Sequence, residues 1–160
     1  MRYLLPLLVG LSWGQSLSEA ETALQRENYD RVIALTSQIL SAKPKELYAY
    51  YLQGMAYLGK AQQLDEDDPA RQTFIQKAQD AFQTAQAKNP RYPYAYIGLA
   101  DIERLRKNPD KARENLSKAE EYGASETNLL VEAARIHTLL GGKASIDRAT
   151  FLLSKAKSKD

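Results

Sequence analysis

Residues 78–90 read AQDAFQTAQAKNP, and a pattern inside this stretch decides the fold. Ala78, Phe82 and Ala85 are spaced as i, i+4 and i+7, so on a helix they lie on one face. The small residues let a neighbouring helix approach closely, and the large residue fills the gap between them. The same pattern returns twice further along the chain at a nearly constant interval, as Ala112, Leu116, Ala119, Ala149, Leu153 and Ala156. We therefore predict helices that stack at a regular interval along the chain.

A second series of residues marks another helix in each repeat. It begins with Ala20 and Ala23, and one such interval later it reaches Gly54 and Tyr57. It continues at Gly98, Asp101, Ala134 and His137. Two interleaved series with one period indicate that each repeat holds two helices, which a short loop joins as an antiparallel hairpin.

The chain as a whole shows helical periodicity interrupted by short breaks, and it has no clean alternating strand pattern. Asp68 and Asn108 each precede a proline, which is typical of an N-cap followed by the first turn of a helix. Ser125 and Ser145 are predicted to cap two later helices. The predicted helices are Leu17–Arg26, Tyr29–Ala42, Glu46–Leu64, Pro69–Lys88, Pro93–Lys107, Pro109–Tyr122, Glu126–Leu140 and Ile146–Lys157.

The combined pattern resembles the tetratricopeptide repeat (TPR), with its period near 34, an aromatic, a Gly and Tyr pair, Ala-x3-Phe-x2-Ala and a closing Pro. The second repeat carries it most fully, at Tyr50, Gly54, Tyr57, Ala78, Phe82, Ala85 and Pro90. The resemblance implies an all-α, right-handed α-solenoid of about four TPR-like helical hairpins over residues 17–160. We expect repeats at 17–44, 45–90, 91–124 and 125–158, the second elongated beyond the family spacing between Tyr57 and Ala78.

The resemblance also indicates a binding surface, because in this family the first helix of each hairpin lines the concave face. The repeat register places on that face Tyr48, Tyr51, Met55, Leu58, Tyr92, Leu99, Ile102, Asn128, Val131 and Arg135. Tyrosine and methionine give a large contact area at low ordering cost, which suits an apolar peptide or a partner helix. The alternative is that these residues belong to the core between repeats or are ordinary exposed tyrosines.

The end of the repeat array suggests an alternative function. No extra polar capping helix follows the last hairpin, although many family members carry one. We expect the uncapped hairpin to expose apolar surface. A self-assembling structural subunit, forming a homo-oligomer through the C-terminal hairpin, is therefore the alternative to an adaptor that binds another protein.

Composition argues against other classes of function. A formal net charge of +2 provides no strong field for nucleic acid. The absence of cysteine excludes disulfides, thiolate metal sites and cysteine nucleophiles. His137, the only histidine, is expected to pack within its hairpin, and the acidic run from Asp65 to Asp68 lacks the spacing and glycine of a calcium loop. We therefore predict no catalytic, cofactor-binding or metal-binding residues and no enzyme activity.

The N-terminus has the three-part plan of a secretory signal peptide. Arg2 is followed by an apolar stretch over residues 3–11 and by small and polar residues over 12–16. The apolar part is too short for a stable membrane anchor. We predict a cleavable signal peptide over residues 1–16, with the cut between Gly14 and Leu17, although a frayed N-terminal helix of a cytoplasmic protein is the alternative.

These observations together predict a non-catalytic adaptor or scaffold. It would hold a peptide or partner subunit in a concave groove, in the bacterial periplasm or cell envelope. Nucleic acid is not an expected partner, and the envelope location within this prediction depends on the signal peptide.

Overall fold

The protein is seen here as a computed structural model that describes residues 13–158. These residues form eight α-helices and no strand, which confirms the all-α prediction. The predicted signal peptide lies mostly outside the described residues, and it stays a prediction. The helices are α1 (Trp13–Gln25), α2 (Tyr29–Ala42), α3 (Leu47–Gln62), α4 (Pro69–Lys88), α5 (Pro93–Leu105), α6 (Pro109–Tyr122), α7 (Thr127–Leu140) and α8 (Lys143–Lys157).

The helices form four hairpins that stack one after another. Each hairpin pairs two consecutive helices, α1 with α2 through to α7 with α8. The first helices also contact one another in order, α1 with α3, α3 with α5 and α5 with α7. Within the described range no helix contacts one beyond the adjacent hairpin, so the arrangement is a translational stack of the solenoid type. None of the described helices is both long and apolar enough to cross a membrane.

Phe82 joins the second hairpin to the third. Its side chain is fully buried and lies against Gly54 of α3 and Gly98 of α5. A Cβ atom at either glycine would be 2.4 Å from Cε1 of Phe82, which is closer than two non-bonded carbon atoms approach. The two glycines therefore provide the space that the phenylalanine ring fills.

Most of the residues that the repeat pattern predicts to pack between helices are buried, with three exceptions. Tyr57 is half-buried and Pro90 is exposed. Leu153, predicted as a packing residue equivalent to Phe82, has 48% of its surface exposed because no described hairpin follows to cover it. The buried members are Gly54, Ala78, Phe82, Ala85, Gly98, Ala112, Leu116, Ala119, Ala134, Ala149 and Ala156.

The N-cap positions agree with the sequence at Asp68 and Asn108, each followed by a proline in the first turn, and differ at the two serines. The Asp68 side chain accepts a hydrogen bond of 2.8 Å from the backbone N–H of Ala70 at the start of α4. The predictions for Ser125 and Ser145 were wrong, because Glu126 and Gly142 occupy the N-cap positions of α7 and α8. Helix α8 begins about one turn earlier than expected, so Ser145 is a buried residue inside the helix.

Charged groups connect the third hairpin to the fourth. The Asp101 side chain, 1% exposed, accepts hydrogen bonds from Arg104 at 2.7 Å and from Arg135 of α7 at 3.2 Å. Asp101 stands where the repeat pattern has an aromatic residue. A buried carboxylate needs such partners, so this interface is held by ion pairing where the preceding one is held by an aromatic ring.

His137 takes part in a second charged cluster at the same interface. Its Nε2 atom lies 2.9 Å from Glu120 Oε1 of α6, and Arg148 of α8 donates to the other carboxylate oxygen. Both His137 and Glu120 are buried. His137 was expected to pack within its hairpin, and the structure adds a polar contact with the neighbouring hairpin that the sequence did not predict.

Candidate partner-binding groove

The first helices of all four hairpins line one open cavity of about 380 Å³. Helix α1 contributes residues from a single face. Helices α3 and α5 contribute tyrosines, and α7 contributes an amide and a carboxylate. We call this cavity the inner groove. Its lining residues are Glu21, Leu24, Gln25, Tyr48, Tyr51, Leu52, Tyr94, Asn128, Val131 and Glu132.

A cluster of tyrosines forms one wall of the inner groove. The ring of Tyr94 lies 4.9 Å from that of Tyr51 and 5.6 Å from that of Tyr48, measured between centroids. Tyr48 and Tyr51 stack at 5.7 Å, and Tyr92 lies beside Tyr94 at 5.8 Å. Contacts of this geometry stabilise the rings against one another, so the wall is fixed before any partner arrives.

The hydroxyl groups of this cluster stay protonated at neutral pH. Burial, followed by the nearby charge of Glu126 and a hydrogen bond to it, raises the pKa of Tyr94 to about 12. Burial also raises the pKa of Tyr48, and its hydroxyl donates a hydrogen bond of 2.7 Å to Oε1 of Glu21. The wall is therefore neutral, and it presents ring surfaces together with O–H groups.

The charged residues that line the inner groove are both acidic. Glu21 lies on the α1 side and Glu132 on the α7 side. Arg135 lies beside the lining. Its Nε atom donates a hydrogen bond of 2.9 Å to Glu132, and its Nη2 atom donates one to Asp101. Although burial alone would lower the pKa of Arg135, Asp101 and Glu132 outweigh it and raise that pKa. Arg135 is therefore a paired cation.

Solved structures share this arrangement of helices. TTC0263, a thermophilic TPR protein in Thermus thermophilus, is 20% identical, with a TM-score of 0.73 over 92% of this chain and 74% of that one. MamA is 23% identical, with a TM-score of 0.53 over 92% of this chain and 78% of that one. The chain has the tetratricopeptide-repeat fold. No family model and no curated protein matches the sequence.

The TPR register placed some of the ten predicted residues in the inner groove. Tyr48, Tyr51, Asn128 and Val131 line it. Two more lie directly beside it, since Tyr92 contacts Tyr94 and Arg135 contacts Glu132. The remaining predicted residues, which the cavity does not include, are Met55, Leu58, Leu99 and Ile102.

Those four residues lie in or against the TPR core. Leu58 and Ile102 are 0% and 1% exposed, so their assignment to an accessible concave surface was wrong. They lie near the C-terminal ends of α3 and α5, where the packed helices close over this face. Met55 and Leu99 are half-buried and pack against the same core. The register therefore placed residues on the helices that line the cavity, but it did not predict how deeply each side chain is buried.

Sequence reasoning missed the residues that make the inner groove polar. Tyr94 fits the repeat pattern as its early aromatic, which assigns it to packing. Glu21 stands one repeat period before Met55, a predicted groove position, so the repeat register did contain a signal for it. Leu24 stands one period before Leu58, another predicted groove position, so the same signal existed for it, whereas Gln25, Leu52 and Glu132 had no comparable signal. The observed lining is consequently less apolar than the sequence predicted.

Proposed function

We propose that this TPR protein is a non-catalytic interaction module that holds a peptide or partner subunit in its inner groove. TPR arrays are generally protein-interaction modules, and function on such a fold is determined by the surface residues that it presents. The observation that carries the proposal is a cavity to which every first helix contributes, from Glu21 on α1 to Glu132 on α7. A partner seated there contacts all four hairpins at once.

The inner groove has the properties of a preformed binding surface. Tyr48, Tyr51 and Tyr94 provide aromatic area with few rotatable bonds, so ordering them on binding costs little free energy. A cavity of about 380 Å³ holds on the order of a dozen water molecules. That volume accepts one or two side chains of an extended segment, whereas a whole helix would have to lie across the opening.

A capture experiment tests this function. The purified protein and its Tyr94→Ser variant are immobilised and incubated with cell-envelope extract, and bound proteins are identified by mass spectrometry. We expect a partner that wild type retains and Tyr94→Ser loses. Tyr50→Ser is the matched control, because Tyr50 lies on the same helix as Tyr48 but its hydroxyl contacts Pro44 outside the groove. Equal capture by wild type and Tyr94→Ser would contradict the proposal.

We further propose that the protein is exported and works in the bacterial periplasm or cell envelope. The support is the sequence of positions 1–16, with Arg2, the apolar stretch and the small residues before Leu17. A cut between Gly14 and Leu17 would remove the first turn of α1 and leave Ala20 and Ala23, which pack in the core. The mass of the native protein tests export, since an intact chain beginning at Met1 would refute cleavage.

A second candidate function is self-assembly through the C-terminal hairpin. Four large apolar side chains are exposed there, Leu139, Ile146, Phe151 and Leu153, with between 43% and 53% of their surface accessible. Leu153 occupies the position at which Phe82 and Leu116 pack against a following hairpin. A second copy could occupy the same place that a following hairpin would.

Light scattering over a range of concentrations tests self-assembly. Self-assembly through the C-terminal hairpin predicts that the mass of the wild-type protein rises with concentration. The Leu153→Gln variant is expected to keep the mass of a monomer. Ser154→Gln is the control, because Ser154 is exposed beside the apolar patch but is not one of its four apolar residues. Leu152 is unsuitable for this test, since it is 1% exposed and its replacement would damage the core. A constant monomer mass for wild type would exclude this function.

A further inference from the structure

The surroundings of the inner groove carry more negative than positive charge. Glu21 and Glu132 line it, and no lysine or arginine does so within the described part of the chain. Arg135 lies beside the lining and pairs with Glu132, and the buried Asp101 is shared between Arg135 and Arg104, so these two carboxylates and two guanidinium groups balance each other. Glu126 acts on the hydroxyl of Tyr94 from the rim. The groove is therefore locally acidic, although the whole chain has a formal net charge of +2.

The aromatic wall adds a second attraction for a cation. Tyrosine rings attract an ammonium or guanidinium group through the negative potential of their faces. The half-buried rings of Tyr48 and Tyr94 lie 5.6 Å apart, with the buried ring of Tyr51 packed against both, so a group that enters the groove contacts more than one ring. An acidic segment would meet two carboxylates without a free cation to offset them, and its binding would be unfavourable.

We infer that the occupant of the inner groove is a basic segment of a protein partner, which inserts a lysine or arginine side chain between the tyrosine wall and the carboxylates of Glu21 and Glu132. The inference rests on the proposed function and names the chemistry of the partner. The volume of about 380 Å³ suits one long side chain with its neighbours. The cation takes the place of solvent near Glu21, whose Oε1 atom already accepts from Tyr48.

Selection from a random dodecapeptide library displayed on phage tests the inference. The full-length protein is the bait, and a parallel selection on Tyr94→Ser removes peptides that bind elsewhere. We expect the groove-dependent peptides to share a lysine or arginine at one position. Replacing that residue by methionine, which keeps the length but removes the charge, is expected to weaken binding about tenfold or more in calorimetry.

Variants of the protein test the carboxylates separately. Glu21→Gln keeps an oxygen acceptor for Tyr48 and is expected to weaken a selected peptide about twofold to fivefold, as for one partly exposed ion pair. Glu132→Gln is a second variant on the opposite side of the groove. Glu121→Gln is the matched control, because Glu121 is exposed on α6 and does not line the cavity. The affinity is also expected to fall as salt rises.

The possible results separate this inference from the proposed function. Groove-dependent peptides that carry a basic residue and respond to Glu21→Gln or Glu132→Gln support both. Groove-dependent peptides that are apolar or acidic, or that ignore both carboxylate variants, overturn the basic-segment inference and leave the interaction function in place. A library that returns no peptide sensitive to Tyr94→Ser overturns both.

Discussion

Phe82 and the two glycines beside it set the distance between the second and third hairpins. The ring occupies the space that a Cβ atom would need at Gly54 and Gly98. This contact explains why the repeat pattern combines small and large residues. Each large side chain needs a neighbouring residue whose own side chain is small or absent. The sequence predicted that Phe82 fills a gap between closely packed helices, but the i, i+4, i+7 spacing concerns Ala78 and Ala85 and did not identify Gly54 and Gly98 as its neighbours.

Replacing Gly98 by alanine tests this contact. In an ordinary helix position the change would stabilise the protein by about 1 kcal/mol, because glycine is a poor helix former. Here we expect a loss of about 1–3 kcal/mol from overpacking against Phe82. Urea unfolding measures the difference. Adding Phe82→Leu to Gly98→Ala should recover part of the loss, and a Gly98→Ala protein as stable as wild type would contradict the account.

The environment of Glu120 makes the stability of the fold depend on pH. Burial alone would raise its pKa, but hydrogen bonds from His137 and Arg148 and the charge of Arg148 outweigh burial and lower the pKa below its usual value. A carboxyl group whose pKa is lower in the folded state stabilises the fold above its unfolded pKa. That stabilisation is lost as pH falls through the folded value.

Comparing wild type with Glu120→Gln tests this contribution. We expect the difference in unfolding free energy between them to be constant above the ordinary glutamate pKa of 4.5 and to shrink as the pH is lowered further. Urea unfolding at about pH 5 and about pH 3 measures it. The control is Glu121→Gln, an exposed neighbour on α6, whose difference from wild type should not change. A Glu120→Gln difference that grows on acidification would be inconsistent with the hydrogen-bonded cluster.

At the scale of the elements, two of the tight hairpin turns share one design. Glu27 follows α1 and Lys107 follows α5, with φ of 56° and 61°. In both turns the next asparagine donates its backbone N–H back to a carbonyl five residues earlier, and it then begins the following helix. Glycine is the usual residue at such a position. Sequence reasoning could not identify Glu27 or Lys107, because hydrogen bonds of the turn impose the conformation against their own preference.

Glycine at position 27 is therefore expected to stabilise the protein. A residue with a Cβ atom loses about 1–2 kcal/mol in the left-handed region, and the greater freedom of glycine in the unfolded chain offsets part of the gain. Glu27→Gly should raise the free energy of unfolding by about 0.5–1 kcal/mol. Lys111→Gly, in the ordinary helical conformation of α6, is the control and should lower it by about 1 kcal/mol. Destabilisation by both changes would show that the turn is not strained.

At the scale of the whole molecule, the period of the sequence predicted the stack, whereas the site was predicted only in part. A fixed interval between small and large residues is sufficient to place four hairpins in order. It places a residue on the inner side of a helix, as with Tyr48, but it does not say whether that side chain is buried in the core, as happens at Leu58. The charge at Glu132 is a property of one repeat, so no periodicity reveals it.

Hydrogen exchange on the protein with and without its captured partner tests the central claim most directly, which is that the inner groove holds the partner. We predict that binding slows exchange in α1, α3, α5 and α7, around Glu21, Tyr48, Tyr94 and Glu132, and leaves α4 and α6 unchanged. Slower exchange confined to the backbone amides of α8, around Leu153, with no change in the first helices, would contradict it.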